Sequence, residues 1–459
     1  MIAPLSYVVT LDNPDRIPEP VDITFATTDI DIYEHIDLPF LTATIILIDE
    51  MNFFERIDII GGEKVKIDLK SVRGQAPVED DTKVKNVIKD FIVTSVKATA
   101  RGVDNRSQTI ALSLIEDIGF NSNLKNLNKM YKGKCSDIIN KIVPTLGRKV
   151  DTEAKDIQNL KVIVPNMSPL DACSWLNNRA TTAEGYPFFF YSTLVDKNLQ
   201  FNDLGTLLFD RQAVNEEKVD GEAPPFRYSK PLAQSTDPAA LTVVSSYTHR
   251  DVENLYNIIM KGSIGSKQNF INSSGSKAIS NQTFDFDVSK DTLDAFSAKL
   301  PPKQKRVLYD KKLKFNTEKS RVIAQFGGSN SHRTSKSRQF DLSYSECSNL
   351  ADYKNITKAA AYLDFMHKSP LVFSMNGIDF MDGNYNTTLG RKMRIEFLPT
   401  DQYDLESTKD SKLSGEYLIM GTQHVIKRER YDITFTGARF SNMEIPDPPP
   451  PATGGPGAK

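Results

Sequence analysis

The chain has 459 residues and a formal net charge of −2, with 39% hydrophobic and 25% charged residues. This composition is ordinary for a soluble globular protein, and the near-neutral charge gives no indication of nucleic-acid binding. The length suggests roughly three to four folding units. Three cysteines, Cys135, Cys173 and Cys347, lie far apart. Their spacing and odd number favour reduced thiols over a disulfide framework or a structural zinc site.

No segment of the sequence predicts a signal peptide or a membrane span. Residues 1–6 lack a basic region followed by an apolar stretch. Apolar runs such as residues 43–48 are too short to cross a bilayer. The sequence therefore predicts a protein that is made in a cytoplasm, stays soluble and has no membrane partner.

Alternation of apolar and polar residues in the first third of the chain predicts strands with one buried face. The apolar positions are Val21, Ile23 and Phe25, then Val65, Ile67 and Leu69, then Ile110, Leu112 and Leu114. Residues 75–85 are polar and acidic and predict a loop between strands. This part of the chain is therefore expected to form an antiparallel sheet or barrel.

Helical periodicity appears after residue 121. Residues 135–143 predict a helix with Ser136 as its N-cap and Pro144 as its stop. A second helix is predicted to begin with Ser168 as its N-cap and Pro169 at the first helical position. Its inner stripe is predicted to contain Leu170, Cys173, Leu176 and Ala180.

The second half of the chain combines polar segments with one helix and late strands. The predicted loops or linkers are residues 212–238, 272–282 and 327–337. Residues 350–366 predict a helix whose apolar face carries Leu350, Tyr353, Ile356, Ala360 and Leu363. Strands return from Leu371. Residues 446–459 are rich in proline and then in glycine, which predicts a stiff segment followed by a flexible one.

Two segments far apart in the chain share one pattern. Residues 62–69 read GEKVKIDL and residues 390–397 read GRKMRIEF, so that only the second position differs in chemical type. Two further matches follow in the same order: DFIV at 90–93 with EYLI at 416–419, and TIAL at 109–112 with DITF at 432–435. One interpretation is chance agreement among amphipathic strands; the other is a duplicated barrel with a long helical insertion. Duplication lets three chains present six similar units.

A series of further motifs runs through the chain in order. They are residues 32–49 with Pro39 and Gly61-Gly62, YKGK at 131–134, VPNMSPLDA at 164–172 with Trp175-Leu176 and Arg179-Ala180, YPFFFY at 186–191, and GEYLI at 415–419 with His424 and YDITF at 431–435. Together these motifs resemble the baseplate hub proteins of contractile-tailed phages, and they are similar to the hub region of type VI secretion spike proteins. The resemblance covers most of the chain and is weakest over residues 267–368.

The resemblance implies an α+β, mainly β fold: two similar antiparallel tube-type β-barrels with helical and mixed insertions, assembled as a homotrimeric ring. Such a ring adapts the sixfold tail tube to the threefold central spike and surrounds the channel through which the genome passes without sequence-specific binding. The implied partners are the other copies, the central spike protein, tail tube or tube-initiator proteins, and baseplate wedge proteins. The implied location is the virion tail baseplate, assembled in the bacterial host cytoplasm.

The resemblance also implies a division of the chain. The expected parts are a first tube barrel at 1–118, an α/β insertion at 119–202, the start of the second barrel at 203–266, a peripheral insertion with helices at 267–368, the remainder of the second barrel at 369–445, and a flexible tail at 446–459.

The sequence predicts no catalytic, cofactor-binding or metal-binding residues, and no enzyme. The histidines His35, His249, His332, His367 and His424 form no HExxH motif or close pair. Cys173 lies on an apolar stripe, which favours a buried thiol over a nucleophile. Residues 262–267 lack the spacing of a phosphate-binding loop. The basic stretches 303–314 and 333–338 favour solvated faces or docking sites for acidic partners.

Two other functions stay open at this stage. One is a tail-associated cell-wall hydrolase with the helical insertion as its catalytic unit, because sequence alone does not identify a pair of catalytic carboxylates. The other is the hub of a type VI or related contractile injection system. For residues 446–459, a tether for the spike and a disordered end without a role are both open.

Overall fold

The structure is a computed structural model. It describes residues 5–13, 19–50, 57, 59–71, 86–101, 107–153, 155–210, 226–228, 243–249, 256–257, 260, 266–272, 280–284, 304–306, 321–327, 350–367, 370–377, 389–397, 413–428, 430–439 and 441–443. The helices are α1 Asp117–Asn123, α2 Cys135–Ile142, α3 Pro169–Asn177 and α4 Leu350–Met366, with a 3-10 turn at Val143–Leu146 and a π turn at Thr206–Asp210.

The strands are numbered in chain order. They are β1 Leu5–Asp12, β2 Val21–Asp22, β3 Thr27–His35, β4 Thr42–Asp49, β5 Lys64–Ser71, β6 Asn86–Arg101, β7 Gln108–Glu116, β8 Met130–Lys134, β9 Val150–Thr152, β10 Asn159–Ile163, β11 Phe188–Tyr191, β12 Leu199–Asp203, β13 Phe226–Tyr228, β14 Val243–His249, β15 Ser266–Asn272, β16 Ser280–Phe284, β17 Gln304–Arg306, β18 Arg321–Gly327, β19 Leu371–Asn376, β20 Lys392–Phe397, β21 Gly415–Lys427, β22 Arg430–Ala438 and β23 Ser441–Met443.

One curled sheet of thirteen strands organises the fold. Its order is β2-β1-β5-β6-β7-β4-β3-β21-β20-β13-β14-β19-β22, and β22 also pairs with β21. The prediction of a mainly β protein is therefore confirmed. The prediction of purely antiparallel pairing is wrong at β13, which runs parallel to both β14 and β20. This three-residue strand lies inside the segment predicted as a linker at 212–238.

The strands of this sheet bury one face, as the alternation predicts. Val65, Ile67 and Leu69 of β5 are at most 1% exposed. Lys64 and Lys66, which alternate with Val65 and Ile67, point to solvent. The buried residues of the sheet belong to one continuous apolar core. Since burying a large aliphatic side chain contributes about 1.5–3 kcal/mol, this core fixes which face of each strand points inward.

The predicted repeat is confirmed by strand register. Val65 of β5 lies opposite Phe91 of β6. Met393 of β20 lies opposite Tyr417 of β21. These are the positions that the aligned segments make equivalent, so the same cross-strand pair occurs in both places. Because a slip of one residue would turn every side chain to the other face, agreement in register is a stringent test of the repeat.

The same backbone contacts frame both copies of the repeat. The N–H of Gly62 donates to the carbonyl of Val93 at 2.8 Å, and the N–H of Gly390 donates to the carbonyl of Ile419 at 3.0 Å. Both glycines have positive φ, 96° and 73°, a conformation that favours glycine. A β-bulge follows directly after Val93 and directly after Ile419. Chance agreement between generic strands does not produce these shared irregularities.

The equivalence extends to two strands that the sequence comparison did not align. β3 pairs with β4, and β14 pairs with β19, each with a bulge at the matching place. In β3 the hydroxyl of Thr28 donates to the carbonyl of Ile46 at 3.2 Å. In β14 the hydroxyl of Ser245 donates to the carbonyl of Ser374 at 2.9 Å. We call β3–β7 the first strand unit, and β14 with β19–β22 the second strand unit.

An α/β insertion follows the first strand unit. Helices α1–α3 and two small sheets, β8/β10 and β9/β11/β12, surround a second apolar core. Helix α3 begins as predicted, since Ser168 caps it by accepting a hydrogen bond from the N–H of Asp171 at 3.3 Å, and Pro169 occupies the first turn. The predicted N-cap Ser136 is wrong. Its N–H and hydroxyl bind the buried carboxylate of Asp156, and the helix begins at Cys135.

Tertiary packing also overrides two predictions of burial. Strand β2 ends at Asp22, and Phe25 lies in a turn with 55% of its surface exposed, so it does not belong to a buried face. Helix α4 has the predicted bounds but buries a different face. The residues predicted to point inward include Ala360, which is exposed. Tyr362 is buried instead, because its ring packs on Tyr186 of the insertion at 5.2 Å.

Other predictions fall partly or wholly outside the described residues. The predicted loop 272–282 is bounded by β15 and β16, which occupy both of its ends. Strand β18 extends to Gly327, where the predicted loop 327–337 begins, and the rest of that loop is outside the described part of the chain. The predicted loop 75–85 and the tail 446–459 also lie outside it.

Candidate assembly interface at the junction of the strand units

The two strand units meet where β3 pairs with β21. The ladder is antiparallel and runs from Gly421 opposite His35 to Lys427 opposite Asp29. The first part of β21 pairs with β20 instead, and its other edge pairs with β22. The first part of β21 therefore pairs with β20 of its own unit, and the second part pairs with β3 of the first unit.

A buried polar network crosses this junction. Glu34 of β3 and His424 of β21 have no exposed side-chain surface, and the Nε2 of His424 contacts the Oε1 of Glu34. The Nδ1 of His424 lies 2.9 Å from the hydroxyl of Tyr431, and the N–H of Leu194 donates to Glu34 Oε2 at 2.9 Å. The contacts fit a histidine that accepts from the tyrosine and donates to the carboxylate. Such a satisfied network specifies one arrangement of the strands that meet there.

Burial also changes the acidity of this network. The pKa of Tyr431 lies well above its ordinary value, first because burial disfavours the phenolate and second because the carboxylate of Glu34 is near. The tyrosine is therefore a neutral hydrogen-bond donor at ordinary pH. This is the state in which its hydroxyl can donate to the Nδ1 of His424.

A second buried cluster ties the insertion to the first strand unit. Glu116 of β7 is 1% exposed and Lys89 of β6 is 5% exposed. The Nζ of Lys89 lies 3.4 Å from Glu116 Oε1 and donates to the carbonyls of Thr193 and Asp196 at 2.7 and 2.9 Å. Ser192 donates to Glu116 Oε2 at 3.0 Å. All three ammonium protons of the buried lysine thus have acceptors, which is what burial of a charge requires.

Residues 192–196 are held by both clusters. Ser192, Thr193 and Asp196 contact the Lys89–Glu116 pair, and Leu194 between them contacts Glu34 at the junction. We call residues 192–196 the clamp. The clamp contacts β6 and β7 through the Lys89–Glu116 pair, and it contacts β3 through Glu34. Because β3 also pairs with β21 of the second unit, these contacts fix the position of the insertion at the junction.

The surface of the junction differs at its two ends. At one end, Lys427 forms an ion pair with Asp29 at 3.1 Å, and Arg428 donates to the carbonyl of Phe25 at 2.8 Å. At the other end is a cleft of about 310 Å³. The cleft is lined by Tyr33, Glu34, His35, Leu38, Thr42, Val372, Gly421, Thr422, Gln423, Thr434 and Thr436.

Two features of the cleft concern hydrogen bonding and charge. Among the described residues, the buried hydroxyl of Thr422 has no hydrogen-bond partner. Burial lowers the pKa of His35, although Asp37, whose carboxylate is 3.6 Å away, opposes the shift. His367 lies 4.0 Å from the same carboxylate. The cleft therefore combines neutral hydroxyl groups with an imidazole that stays neutral to lower pH than usual.

The segments singled out in the sequence lie beside the junction rather than in it. Residues 390–397 include β20, the neighbour of β21, and residues 62–69 include most of β5, the neighbour of β6. Sequence reasoning missed the pairing of Glu34 with His424. The alternation of Thr422, His424 and Ile426 places His424 on the inward face of its strand, which is the one signal available from the sequence.

The residues weighed for chemistry are placed as follows. Cys135 and Cys173 are fully buried in the core of the insertion, and burial raises the pKa of Cys135 to about 12 and that of Cys173 further above its ordinary value. His249 is exposed on β14. His332 lies outside the described residues. The described ranges contain no group of three or more His, Cys, Asp or Glu side chains arranged to hold a metal ion. No helix in those ranges is long and apolar enough to span a membrane.

Comparison with known proteins gives matches in solved structures alone. No family model matches the chain, and no curated protein matches it. The chain is similar to a tail protein from Neisseria meningitidis MC58, with 12% identity, 95% of this chain and 97% of that one covered, and a TM-score of 0.49. A 43 kDa tail protein of prophage MuSo2 from Shewanella oneidensis has 9% identity, coverage of 94% and 98%, and a TM-score of 0.49. An E. coli component of the type VI secretion system has 9% identity, coverage of 90% and 73%, and a TM-score of 0.38. The structures similar to this chain thus include phage tail and type VI secretion proteins, at TM-scores below 0.5.

Proposed function

We propose that this chain is the structural hub of a contractile tail baseplate. One observation carries the proposal: a single chain holds two strand units with the same strand order, the same register of β5–β6 and β20–β21, and a bulge at the matching place after Val93 and after Ile419. The units are joined rigidly by the β3–β21 ladder and the buried Glu34–His424 contact. A duplicated unit of this kind gives one chain two similar surfaces. The motifs that resemble baseplate hub proteins support the same function.

The two strand units are the framework of two tube-type barrels. In this proposal, residues 1–118 form the first barrel, and residues 203–266 with 369–445 form the second. Residues 119–202 are the α/β insertion, 267–368 the peripheral insertion and 446–459 the tail. The clamp at 192–196 supports this division, because its buried contacts seat the insertion on the first barrel without interrupting the sheet.

Three copies in a ring present six similar barrels on one side and a threefold arrangement of insertions on the other. Such a ring matches a sixfold tail tube or tube-initiator protein on one face and a threefold central spike on the other. Baseplate wedge proteins contact its rim, and the genome passes through its channel without base-specific contacts. The role is structural, the chain carries out no reaction, and its location is the virion tail.

Native mass spectrometry of the purified chain tests the proposal. Three copies of the 51.4 kDa chain give a complex of about 154 kDa. A stable monomer at micromolar concentration contradicts the ring. Digestion of purified peptidoglycan by the same preparation supports a cell-wall hydrolase instead, and the proposal expects no digestion. Binding of the trimer to the end of purified tail tubes then tests the sixfold face.

A further inference from the structure

The two-stranded sheet of the insertion, β8 with β10, has one covered face and one exposed face. Tyr131 lies opposite Val162 on the face that packs on the insertion core, and Val162 is fully buried. Met130, Lys132 and Lys134 alternate with Tyr131 along β8 and point the other way, and all three are exposed. We call this second side the outer face of the insertion sheet.

An apolar pair lies at one end of the outer face. Met130 is directly opposite Ile163 in the ladder. Met130 is 55% exposed and Ile163 is 39% exposed. Residues directly opposite each other in an antiparallel pair have Cβ atoms about 4.5–5.5 Å apart, so the two side chains form one apolar surface. A single exposed apolar residue is ordinary, whereas two side by side at the end of a charged row offer a partner's apolar group a place to be buried.

The rest of the outer face is basic. The two paired segments, residues 124–134 and 157–167, contain five lysines and no aspartate or glutamate. Lys132 and Lys134 are exposed, and neither forms an ion pair within the described part of the chain. A chain with a net charge of −2 thus concentrates positive charge on one small surface. Such a surface is complementary to an anionic partner.

Backbone pairing holds the outer face in shape. The N–H of Val164 donates to the carbonyl of Lys129 at 3.1 Å, and the N–H of Leu127 donates to the carbonyl of Met167 at 2.8 Å. The pairing of the two segments therefore continues beyond β8 and β10 as far as Leu127 and Met167. A surface that is already ordered binds a partner without paying a large entropy cost of its own.

We propose that the outer face binds an acidic, extended polypeptide segment of a partner protein. Side chains on one face of a strand are two residues apart, about 6.5 Å, so Met130, Lys132 and Lys134 form a row with that spacing. An extended segment with one apolar residue and two carboxylates at alternate positions places each group against its complement. The apolar pair favours a protein over nucleic acid, because contacts to a phosphate backbone would leave Met130 and Ile163 uncovered. The inference goes beyond the hub function and does not require it.

Binding of a designed peptide to the purified chain tests the chemistry and the spacing. The probe is a fluorescent peptide with leucine, glutamate and glutamate at alternate positions and threonine between them. The control peptide has the same composition with its two glutamates adjacent. Fluorescence anisotropy is expected to show at least about tenfold tighter binding of the probe, because only the probe matches the row of side chains. Salt at about 1 M is expected to weaken this binding, since it shortens the Debye length to about 3 Å. Equal affinity for the two peptides, or tighter binding of a duplex DNA oligonucleotide, overturns the proposal.

Charge-reversal variants locate the site on the chain. Lys132→Glu combined with Lys134→Glu is expected to weaken binding of the probe at least about tenfold, because attraction becomes repulsion at both positions. Lys64→Glu combined with Lys66→Glu is the matched control, since these two lysines have the same spacing on the exposed face of β5. The control is expected to bind the probe as the wild type does. Urea denaturation midpoints check that both variants are folded.

A second variant tests the apolar end of the row. Met130→Ser is expected to weaken binding of the probe by a similar factor at low and high salt, because the lost contact is apolar. Ile88→Ser is its control, since Ile88 is 45% exposed on β6, away from the insertion. Affinity that is unchanged in the Lys132 and Lys134 variant, or equally reduced in the Lys64 and Lys66 variant, overturns the proposal. A trimeric chain that fails to bind the probe overturns this inference and leaves the hub function standing, whereas a monomeric chain that binds the probe supports this inference and contradicts the hub.

Discussion

His424 and Glu34 are 390 positions apart in the chain, yet their side chains meet with no exposed surface on either. The contact joins the last third of the chain to its first strands. Two polar groups buried in this way are stable only when each has its partners. Here Tyr431 and Leu194 complete the set. This contact therefore helps to specify how the two strand units meet.

Glu34→Leu is predicted to destabilise the chain strongly. The substitution leaves the Nε2–H of His424 and the N–H of Leu194 buried without their acceptor, and each unsatisfied buried donor costs about 1–3 kcal/mol. Asp31→Asn is the control, because Asp31 lies on the outward face of the same strand. Urea denaturation should show a large drop in the midpoint for Glu34→Leu and a shift within about 0.5 kcal/mol for Asp31→Asn. Equal drops in the midpoint for the two variants would contradict the stabilising role of the Glu34–His424 contact.

Lys89→Met is predicted to release the clamp. The substitution keeps much of the side-chain volume but removes the donor that Thr193 and Asp196 share. Amide hydrogen exchange of residues 192–196 should speed up at least about tenfold, because these backbone groups lose the contact that orders them. Lys66→Met, on the exposed face of β5, is the control and should leave exchange at 192–196 unchanged. Unchanged exchange in both variants would show that Ser192 and Leu194 suffice to hold the clamp.

Two equivalent glycines should respond differently to alanine. Gly62 and Gly390 both have positive φ, so either substitution costs about 1–2 kcal/mol in backbone strain. A Cβ on Gly390 would also lie 2.5 Å from the hydroxyl of Tyr191, whereas a Cβ on Gly62 has no neighbour within 4 Å. Gly390→Ala is therefore predicted to lower thermal stability more than Gly62→Ala. Differential scanning calorimetry measures both, and the reverse order would contradict the placement of Tyr191.

Two buried threonines form a further matched pair. The hydroxyl of Thr27 donates to the carbonyl of Ile23 at 2.9 Å, whereas that of Thr422 has no hydrogen-bond partner in the described part of the chain. An unsatisfied buried hydroxyl costs about 1–3 kcal/mol, so Thr422→Val is predicted to leave stability unchanged or to raise it. Thr27→Val removes a satisfied bond and is predicted to lower stability by about 1 kcal/mol. Denaturation midpoints that fall equally for both would contradict the difference between them.

Local pattern predicted much of the sheet. The alternation at Val65, Ile67 and Leu69 predicted the buried face of β5, and the aligned segments predicted that β5 and β6 correspond to β20 and β21. Both depend on side-chain periodicity and similarity, which the sequence contains directly. The N-cap of α3 was predictable for the same reason, because the cap and its partner are three residues apart.

Features that depend on distant partners were not predictable from the sequence. Ser136 has the chemistry of an N-cap, but Asp156 binds its N–H and hydroxyl instead. Phe25 continues an alternating pattern, yet the chain turns there and exposes it. His424 lies on the inward face of its strand, but no residue near it in the sequence indicates that Glu34 is its partner. In each case a contact made in the folded chain outweighed the local preference.

The ring itself is tested most directly by cryo-electron microscopy of the purified chain. If the chain is a baseplate hub, the reconstruction shows a ring of three copies in which six similar sheet units surround a central opening. Particles of one chain, or rings in which the two strand units of a copy occupy unrelated positions, would contradict the proposal that the repeat exists to let three chains present six units.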